Sequence, residues 1–475
     1  MTHLVWFRND LRIADNPALT AACQSGEPVE ACFLLADAQW QAHDVAPAKR
    51  AFLGANLREL QAALADLGIP MHWVEAPLFS DAPAAILALS AQRGVHTVHC
   101  NEEYAVNERR RDRAVHEHLK SHAIRLLRYR DQTLAPVGQI LTAQQQPYLV
   151  YTPFYRRWRE YLEQHPPLLH PIPQRRDHTG LTLAPLRPLV SNEHVPPPLV
   201  TAGENAAHRQ LVQFLEQRAG DYKRQRDIPA VDGTSRLSPY LALGVLSGRQ
   251  CLHAAWAALA ATPGDTSGLE GWINELGWRD FYIHILYHFP RVSMHRAFKP
   301  ETEHLPWRTD AAQLQAWQAG QTGIPIVDAA MRQLTQTGWM HNRLRMICAM
   351  FLSKNLFLDW RLGERFFMRH LVDGHLAANN GGWQWNASTG TDAAPYFRIF
   401  NPVAQSEKFD PEGAFIRRFV PELAHLDNRR LHDPSGRGGR PIRYPAAIVD
   451  LKTSRQAAIE HFKALAQRPG ADSVP

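Results

Sequence analysis

A stretch rich in amide and indole side chains lies between Val372 and Asp392, where the chain reads VDGHLAANNGGWQWNASTGTD. Trp383 and Trp385 flank a single glutamine, so on a helix they cannot share one buried stripe. We expect one to face inward and the other to face a cavity or a partner. Indole has a low oxidation potential, and most of the 13 tryptophans lie between positions 272 and 385. Closely spaced indoles in this region would provide a path for single electrons.

A second polar set lies in the helical pattern TGWMHNRLRMICAM. On a helix Asn342, Arg345 and Cys348 share one face, while Arg343 points elsewhere. An arginine in such an apolar stretch requires an acid, and Asp373 is the candidate. With Asn379, such a pair would line a cavity suited to a heteroaromatic ring that has several hydrogen-bonding edges.

A third set precedes a long apolar run in GTSRLSPYLALGVLS. The glycine and hydroxyl residues are typical of a helix start, with Ser238 before Pro239 as an ordinary N-cap. The same groups can bind phosphate at a helix start, and Arg236 favours that alternative. Upstream, DYKRQRDIP supplies a basic cluster that is either a solvated face or a row of phosphate contacts: Lys223, Arg224 and Arg226.

Several classes of chemistry lack their motifs. The chain contains no GxxxxGK[ST], HExxH, GxSxG or CxxC pattern, and its 24 histidines form no dense cluster in sequence. We therefore predict no metal site. The five cysteines are scattered, which suits a reducing compartment. No apolar run is long enough to span a membrane, so we expect the protein in the cytoplasm, and the net charge of +6 permits a nucleic-acid partner.

The elements that must position these residues fall into three parts. Apolar runs alternate with helical patterns in the first 131 residues, which predicts a doubly wound parallel α/β sheet. The predicted strands are HLVWF, VEACFLL, MHWVEA, VHTVHC and AIRLLRYR. A linker with a proline-rich stretch follows at 132–205, and from 206 to 475 the pattern is almost wholly helical. No GxGxxG follows the first strand, so a dinucleotide site of the usual kind is not expected there.

The motifs together carry a resemblance to a known family. LVWFRNDLRIADNPAL, GTSRLSPYLALGVLS, WINELGWRDFY, TGIPIVDAAMRQLTQTGWMHNRLRM and DGHLAANNGGWQWNASTGTDAAPYFRIFNP closely resemble the DNA photolyase/cryptochrome family, and most of all the bacterial class I cyclobutane pyrimidine dimer photolyases. The resemblance implies FAD in the helical domain and UV-damaged DNA as partner. It further implies that light absorbed by FADH⁻ drives an electron into a thymine dimer flipped out of the duplex.

The resemblance also implies roles for individual residues. Arg345 and Asp373 would pair beside the flavin, and Asn379 would face its N5 atom. An uncharged amide there favours repair, because plant cryptochromes carry Asp at that place. The full set implied to contact FAD is Tyr222, Thr234, Ser235, Arg236, Leu237, Ser238, Trp272, Glu275, Arg279, Asn342, Arg345, Asp373, Gly374, His375 and Asn379.

The remaining implied roles concern electrons and DNA. Trp383, Trp360 and Trp307 resemble the photoreduction chain, with Trp307 at the surface. Five residues are implied to act on the dimer, alongside Asn342 at the DNA: Glu275 at the thymine edge, Trp278 and Trp385 as walls of the pocket, Met346 packing against the dimer, and Asn379 at the flavin. Arg226, Arg343 and Arg398 would neutralise DNA phosphates. The (6-4) photolyases carry two histidines where this chain has Asn342 and Met346, which favours cyclobutane dimers.

Two departures from the family pattern stand out. The family usually has DGDLA, and this chain has His375 in place of the second acid. A neutral imidazole can still form a hydrogen bond, whereas a protonated one would alter the flavin potential. His43, Asn107 and Glu108 match the pattern that binds a methenyltetrahydrofolate antenna. Met294 replaces the lysine of those relatives, which implies weaker binding of a polyglutamate tail.

We therefore predict a light-driven, monomeric carbon–carbon lyase that repairs cyclobutane dimers. The alternatives are a cryptochrome-type blue-light photoreceptor and a flavin- or folate-dependent dark oxidoreductase. The second alternative has no supporting substrate motif.

Overall fold

The computed structural model describes residues 2–175, 183–191, 193–436 and 443–467. The predicted linker includes positions 176–182 and 192, which lie outside the described residues. The chain divides into two compact units. The first unit comprises Met1–Gly220, Ser235–Pro290 and Val372–His375, and the second comprises Asp221–Thr234, Arg291–Leu371 and Leu376–Pro475.

The first unit is built on a five-stranded sheet in the order β3-β2-β1-β4-β5. Every neighbouring pair of strands is parallel, so the predicted doubly wound α/β fold is confirmed. The strands are β1 (Thr2–Phe7), β2 (Val29–Leu35), β3 (Met71–Glu75), β4 (Val95–Asn101) and β5 (Arg125–Tyr129). Each matches a predicted strand. The inner strands β1, β2 and β4 are almost wholly buried, as expected of strands covered on both faces, whereas the outer strands β3 and β5 are partly exposed.

Helices cover this sheet and extend into the rest of the first unit. They are α1 (Pro17–Gln24), α2 (Asp37–Ala42), α3 (Pro47–Asp66), α4 (Ala82–Arg93), α5 (Val106–Lys120), α6 (Tyr151–Gln164), α7 (Glu204–Gln217), α9 (Ser238–Leu243), α10 (Gly248–Ala261) and α11 (Ser267–His288). The apolar core between sheet and helices includes Leu4, Trp6, Val98 and Leu119.

Buried ion pairs occupy the region that follows β1. Arg249 of α10 donates to Asp15 Oδ2 at 2.9 Å and to Asp131 Oδ1 at 2.6 Å. Gly244 adopts the left-handed conformation at φ +61°, and a Cβ there would collide with the Asn9 carbonyl. The segment RNDLRIADN therefore binds protein groups, which explains why it lacks the glycines of a dinucleotide-binding turn.

The second unit is helical around one apolar core. Its helices are α8 (Tyr222–Gln225), α12 (Ala311–Gln318), α13 (Pro325–Thr337), α14 (Asn342–Met350), α15 (Trp360–Met368), α16 (Leu376–Ala387), α17 (Pro402–Phe409), α18 (Ala414–Phe419), α19 (Asn428–His432) and α20 (Leu451–Ala466). A π-helical turn, Phe351–Asn355, follows α14. Trp317, Trp360 and Trp383 are buried in the core.

Glycines and caps divide the long helical patterns of the sequence. The pattern after Ser238 stops at Gly244, and α10 restarts with Ser247, which forms a capping box with Gln250. Gly338 ends α13 in the left-handed conformation. The helical content was predicted correctly, and these breaks were not.

Among the described residues, no helix combines the length and the apolar character that a membrane span requires.

Candidate functional site

The DGH turn of the first unit is held by two hydrogen bonds. Ser238 Oγ donates to Asp373 Oδ2 at 2.6 Å, and Lys49 Nζ of α3 donates to the Gly374 carbonyl at 2.6 Å. The interpretation of Ser238 as an N-cap was wrong, because Leu237 occupies the cap position of α9 without a side-chain bond. Lys49 was not predicted from the sequence. The turn therefore rests on two helices that are distant in sequence.

Two cations of this unit act electrostatically on His375. Burial, the Arg279 guanidinium and the Lys49 ammonium together lower the pKa of His375 to about 3. Burial lowers the pKa of Lys49 to about 8, although the Asp373 carboxylate opposes that shift. His375 is therefore a neutral imidazole at pH 7, and its ring nitrogens have no hydrogen-bond partner among the described residues.

Among the described residues, the hydrogen-bond acceptors of Arg279 are backbone carbonyls. Its Nη1 donates to the Gln132 carbonyl and its Nη2 to the Leu241 carbonyl, the latter at 3.5 Å. Burial lowers the pKa of Arg279, although Asp280 opposes the shift. A cation held by carbonyls alone suits an anionic ligand.

The other predicted residues of the first unit lie on α11 and in the GTSRLS segment. Trp272 is buried with its ring centroid 5.2 Å from that of Phe214. Trp278 is half-buried, and its ring stacks on that of Tyr151 with 3.6 Å between the ring centroids. Glu275, one turn before Arg279 on α11, is half-buried. The remaining three residues belong to the GTSRLS segment: Ser235 accepts from Gln210 through its carbonyl, Arg236 has a left-handed φ of +54°, and Leu237 is buried.

In the second unit, the amide of Asn379 has a defined orientation. Its Nδ2 donates to the Glu364 carbonyl at 3.0 Å, which leaves Oδ1 as an acceptor without a partner among the described residues. An uncharged acceptor of this kind fits the protonated N5 of a reduced flavin. The residues present therefore fit FAD.

Helix α14 and the segment around α8 carry the other predicted residues of the second unit. His341 caps α14, since its Nδ1 accepts from the Arg343 backbone at 3.2 Å. Arg345 Nε donates to the Met340 carbonyl at 2.8 Å, and its predicted pairing with Asp373 stays a prediction. The other predicted residues of the second unit differ in exposure. Tyr222 is buried, Thr234, Arg226 and Met346 are half-buried, and Asn342 and Arg398 are exposed.

The tryptophans of the second unit differ in exposure. Trp383 is buried and Trp385 is half-buried, so the predicted difference between this pair is confirmed. Trp360 is buried and Trp307 is partly exposed. The indole N–H groups of Trp307, Trp360 and Trp383 have no acceptor in the described chain.

The residues predicted to bind the antenna lie in the first unit. Asn107 at the start of α5 lies 3.1 Å from His43 Nε2, measured from its Nδ2. Burial, together with the Glu103 carboxylate, raises the pKa of Glu108 to about 7. The structure thus brings the side chains of His43 and Asn107 together, and Glu108 directly follows Asn107 in the sequence.

Family models match both halves of the chain. The model described as DNA photolyase matches residues 3–174, and that described as the FAD binding domain of DNA photolyase matches residues 272–464. A deoxyribodipyrimidine photo-lyase of Salmonella typhimurium is 46% identical over 98% of each chain. The chain belongs to the DNA photolyase family. The corresponding enzyme of Escherichia coli is 45% identical over 98% of each chain.

A solved photolyase structure has the same fold. The class III photolyase from Agrobacterium tumefaciens superposes with a TM-score of 0.88 at 33% identity, over 98% of each chain. Membership of the DNA photolyase family explains the pairing of a parallel α/β sheet with a large helical region, and it establishes FAD as the cofactor.

The geometry of this photolyase adds residues that sequence reasoning missed. Lys49 is separated from Gly374 by 325 positions, and Asp227 accepts from Arg343 Nη2 at 2.8 Å across 116 positions. Trp317 lies 6.1 Å from Trp383 between ring centroids. No local pattern marks these contacts. Among the described residues, no group of three or more His, Cys, Asp or Glu side chains is arranged to hold a metal ion.

Proposed function

We propose that this photolyase repairs cyclobutane pyrimidine dimers in UV-damaged DNA. The supporting observation is Asn379, whose oriented amide leaves an uncharged acceptor without a partner among the residues that the structure describes. When bound, reduced FAD supplies the light-driven electron that splits the cyclobutane ring. An acceptor without charge can hold the proton at flavin N5 and adds no negative charge that would oppose a reduced anion.

In the first unit, we assign flavin contacts to the DGH turn and its neighbours. Arg279 offers a cation to an anionic ligand, Asp373 and Ser238 form one hydrogen-bonded pair, and His375 offers a neutral ring nitrogen. The same role is assigned by resemblance to Ser235, Arg236, Leu237, Trp272, Glu275 and Gly374.

In the second unit, flavin contacts are assigned to Asn379 and to a set given by resemblance: Tyr222, Thr234, Asn342 and Arg345. Trp383, Trp360 and Trp307 are assigned to electron transfer. Two of these indoles are buried and Trp307 is partly exposed, which is consistent with a path that ends at the surface. Their N–H groups have no hydrogen-bond acceptor among the described residues, so no described acceptor is placed to take the proton of an oxidised indole.

Binding of the damaged strand is assigned to cationic and aromatic groups. Arg226, Arg343 and Arg398 would neutralise phosphates, a contribution that weakens as salt rises. Glu275, Trp278, Asn342, Met346 and Trp385 would contact the flipped dimer. The Trp278 ring already stacks on Tyr151, so its side chain loses less conformational entropy when a base stacks on it.

The antenna and the cellular setting are assigned by resemblance. We propose that His43, Asn107 and Glu108 bind methenyltetrahydrofolate, that Met294 weakens retention of a polyglutamate tail, and that the protein acts as a cytoplasmic monomer. The short approach between His43 and Asn107 supports the antenna assignment.

The decisive experiment uses the purified, FAD-loaded protein after reduction. Blue light should restore intact pyrimidines in UV-treated oligonucleotides, and the same mixture in the dark should leave the dimers in place. Persistence of the dimers under light would overturn repair and would favour a photoreceptor. Turnover in the dark with a nicotinamide donor would instead favour an oxidoreductase.

A further inference from the structure

Asp227 lies between two arginines that are proposed to contact DNA. Its Oδ1 accepts from Arg343 Nη2 at 2.8 Å and from Arg343 Nε at 3.2 Å. The same oxygen lies 4.0 Å from Arg226 Nε. All three residues belong to the second unit. The Asp227 carboxylate therefore accepts hydrogen bonds from the Nε and Nη2 edge of the Arg343 guanidinium. The same edge could otherwise bind a phosphate.

Two further contacts involve Nη1 and the plane of the Arg343 guanidinium. Nη1 lies 3.9 Å from Met346 Sδ, and the guanidinium carbon lies 4.5 Å from the centre of the Phe409 ring. Each guanidinium nitrogen thus has a partner, and the side chain is only 19% exposed, against 34% for Asp227. An arginine that stacks on an aromatic ring and binds a carboxylate has little freedom left.

We propose that Asp227 is a specificity-determining residue that clamps Arg343 toward Met346 and prevents it from swinging out to the backbone of undamaged DNA. This inference rests on the proposed function, because it concerns how the enzyme distinguishes damaged from undamaged strands. With Asp227 in place, Arg343 is set for the flipped dimer at Met346, and part of the positive charge beside Arg226 is compensated.

The physical basis is that non-specific DNA binding depends almost wholly on phosphate neutralisation. Undamaged duplex offers phosphates but no flipped base, so it gains most from an arginine that is free to move. A damaged strand also gains from contacts at Met346, for which the clamped position of Arg343 is already suitable. Removal of the Asp227 carboxylate should therefore raise the affinity for undamaged duplex more than the affinity for damaged DNA.

The test compares binding to matched duplexes with and without a single cyclobutane dimer. Fluorescence anisotropy is measured in the dark with FAD-loaded protein at several salt concentrations. For Asp227→Asn we expect the affinity for undamaged duplex to rise by roughly fivefold, and the dependence of log K on log salt to steepen by about one unit. The affinity for damaged duplex should stay within about twofold. Asp227→Glu should restore the wild-type ratio.

A matched control is available in the same unit. Glu422 pairs with Arg332 at 2.8 Å, with exposures of 23% and 19%, and Glu422→Gln changes the net charge by the same amount. This control should leave the ratio of the two affinities unchanged. Arg343→Gln in the Asp227→Asn background should abolish the gain for undamaged duplex. Arg343→Gln alone should weaken binding of damaged duplex more than of undamaged duplex.

The inference fails if Asp227→Asn changes both affinities by the same factor, or if its salt dependence matches that of Glu422→Gln. Retention of the FAD absorption spectrum checks that the variants fold. If Asp227→Asn does not fold, the effect of Arg343→Gln alone on the two affinities tests the clamp. A wild-type protein without any preference for damaged duplex would instead contradict the proposed function, so the two failures are distinguishable.

Discussion

Lys354 is a buried lysine whose replacement should change the pH dependence of stability. It lies in the π-helical turn after α14, and its Nζ donates to Ser388 Oγ at 2.6 Å and to the Tyr396 carbonyl at 3.1 Å. Its ammonium also lies 4.8 Å from the centre of the Phe462 ring of α20. Burial, together with the charge of Lys299, lowers its pKa from 10.5 to about 7.

The sign of the effect follows from proton binding in the two states. The unfolded chain keeps this proton up to about pH 10.5, whereas the folded chain releases it near pH 7. Between these values the unfolded state binds one more proton, so the free energy of unfolding rises with pH. One proton changes it by about 1.4 kcal/mol per pH unit, which gives roughly 3 kcal/mol between pH 7.5 and 9.5.

Lys354→Met removes the titrating group and fills a similar volume. At pH 9.5 the variant should be less stable than wild type, because two hydrogen bonds are lost, and each contributes about 1 kcal/mol. Toward pH 7 the difference should shrink or reverse, because wild type then bears the cost of burying a charge. Urea unfolding at several pH values measures this, with the exposed Lys463→Met as control. Parallel pH profiles for wild type and Lys354→Met would refute the reasoning.

The remaining predictions concern electron transfer, the DGH turn and packing. Trp307→Phe should slow photoreduction of oxidised FAD yet spare repair by pre-reduced enzyme; equal loss of both, seen in flash absorption and repair assays, would contradict the division of roles. FAD affinity, followed by fluorescence, should fall as the pH rises through about 8, because Lys49 loses its charge there. His375→Asp should move that loss to higher pH, because a carboxylate raises the pKa of the lysine; an unchanged profile would show that position 375 does not affect it. Gly363→Ala should cost roughly 1–3 kcal/mol in thermal or urea unfolding, because the added Cβ meets the Trp383 ring and Leu352; wild-type stability would show that the ring can move aside.

Local patterns explain what could be predicted from the sequence. The five strands were predictable because short runs that contain apolar residues alternate with helical patterns along the first 131 residues. The role of Ser238 was misread because a serine before proline is a good N-cap in isolation. Its hydroxyl instead donates to Asp373, across 135 positions. Lys49 and Asp227 were missed for the same reason, since their partners are set by tertiary structure.

The π-helical turn lies between α14 and α15, the helix that contacts Asn379 and Trp383 of α16. Such turns add a residue to a helix and are frequent at functional sites. Here the turn is followed by Phe357 in the left-handed conformation at φ +52°, and then by α15. Helix α15 supplies the Glu364 carbonyl that orients Asn379 and the glycine that receives the Trp383 ring. The bonds of Lys354 hold this turn, so its replacement should disturb the orientation of Asn379 as well as stability. Because burial lowers the pKa of Lys354 to about 7, its side chain can donate both hydrogen bonds in the core at a smaller cost of buried charge above that pH.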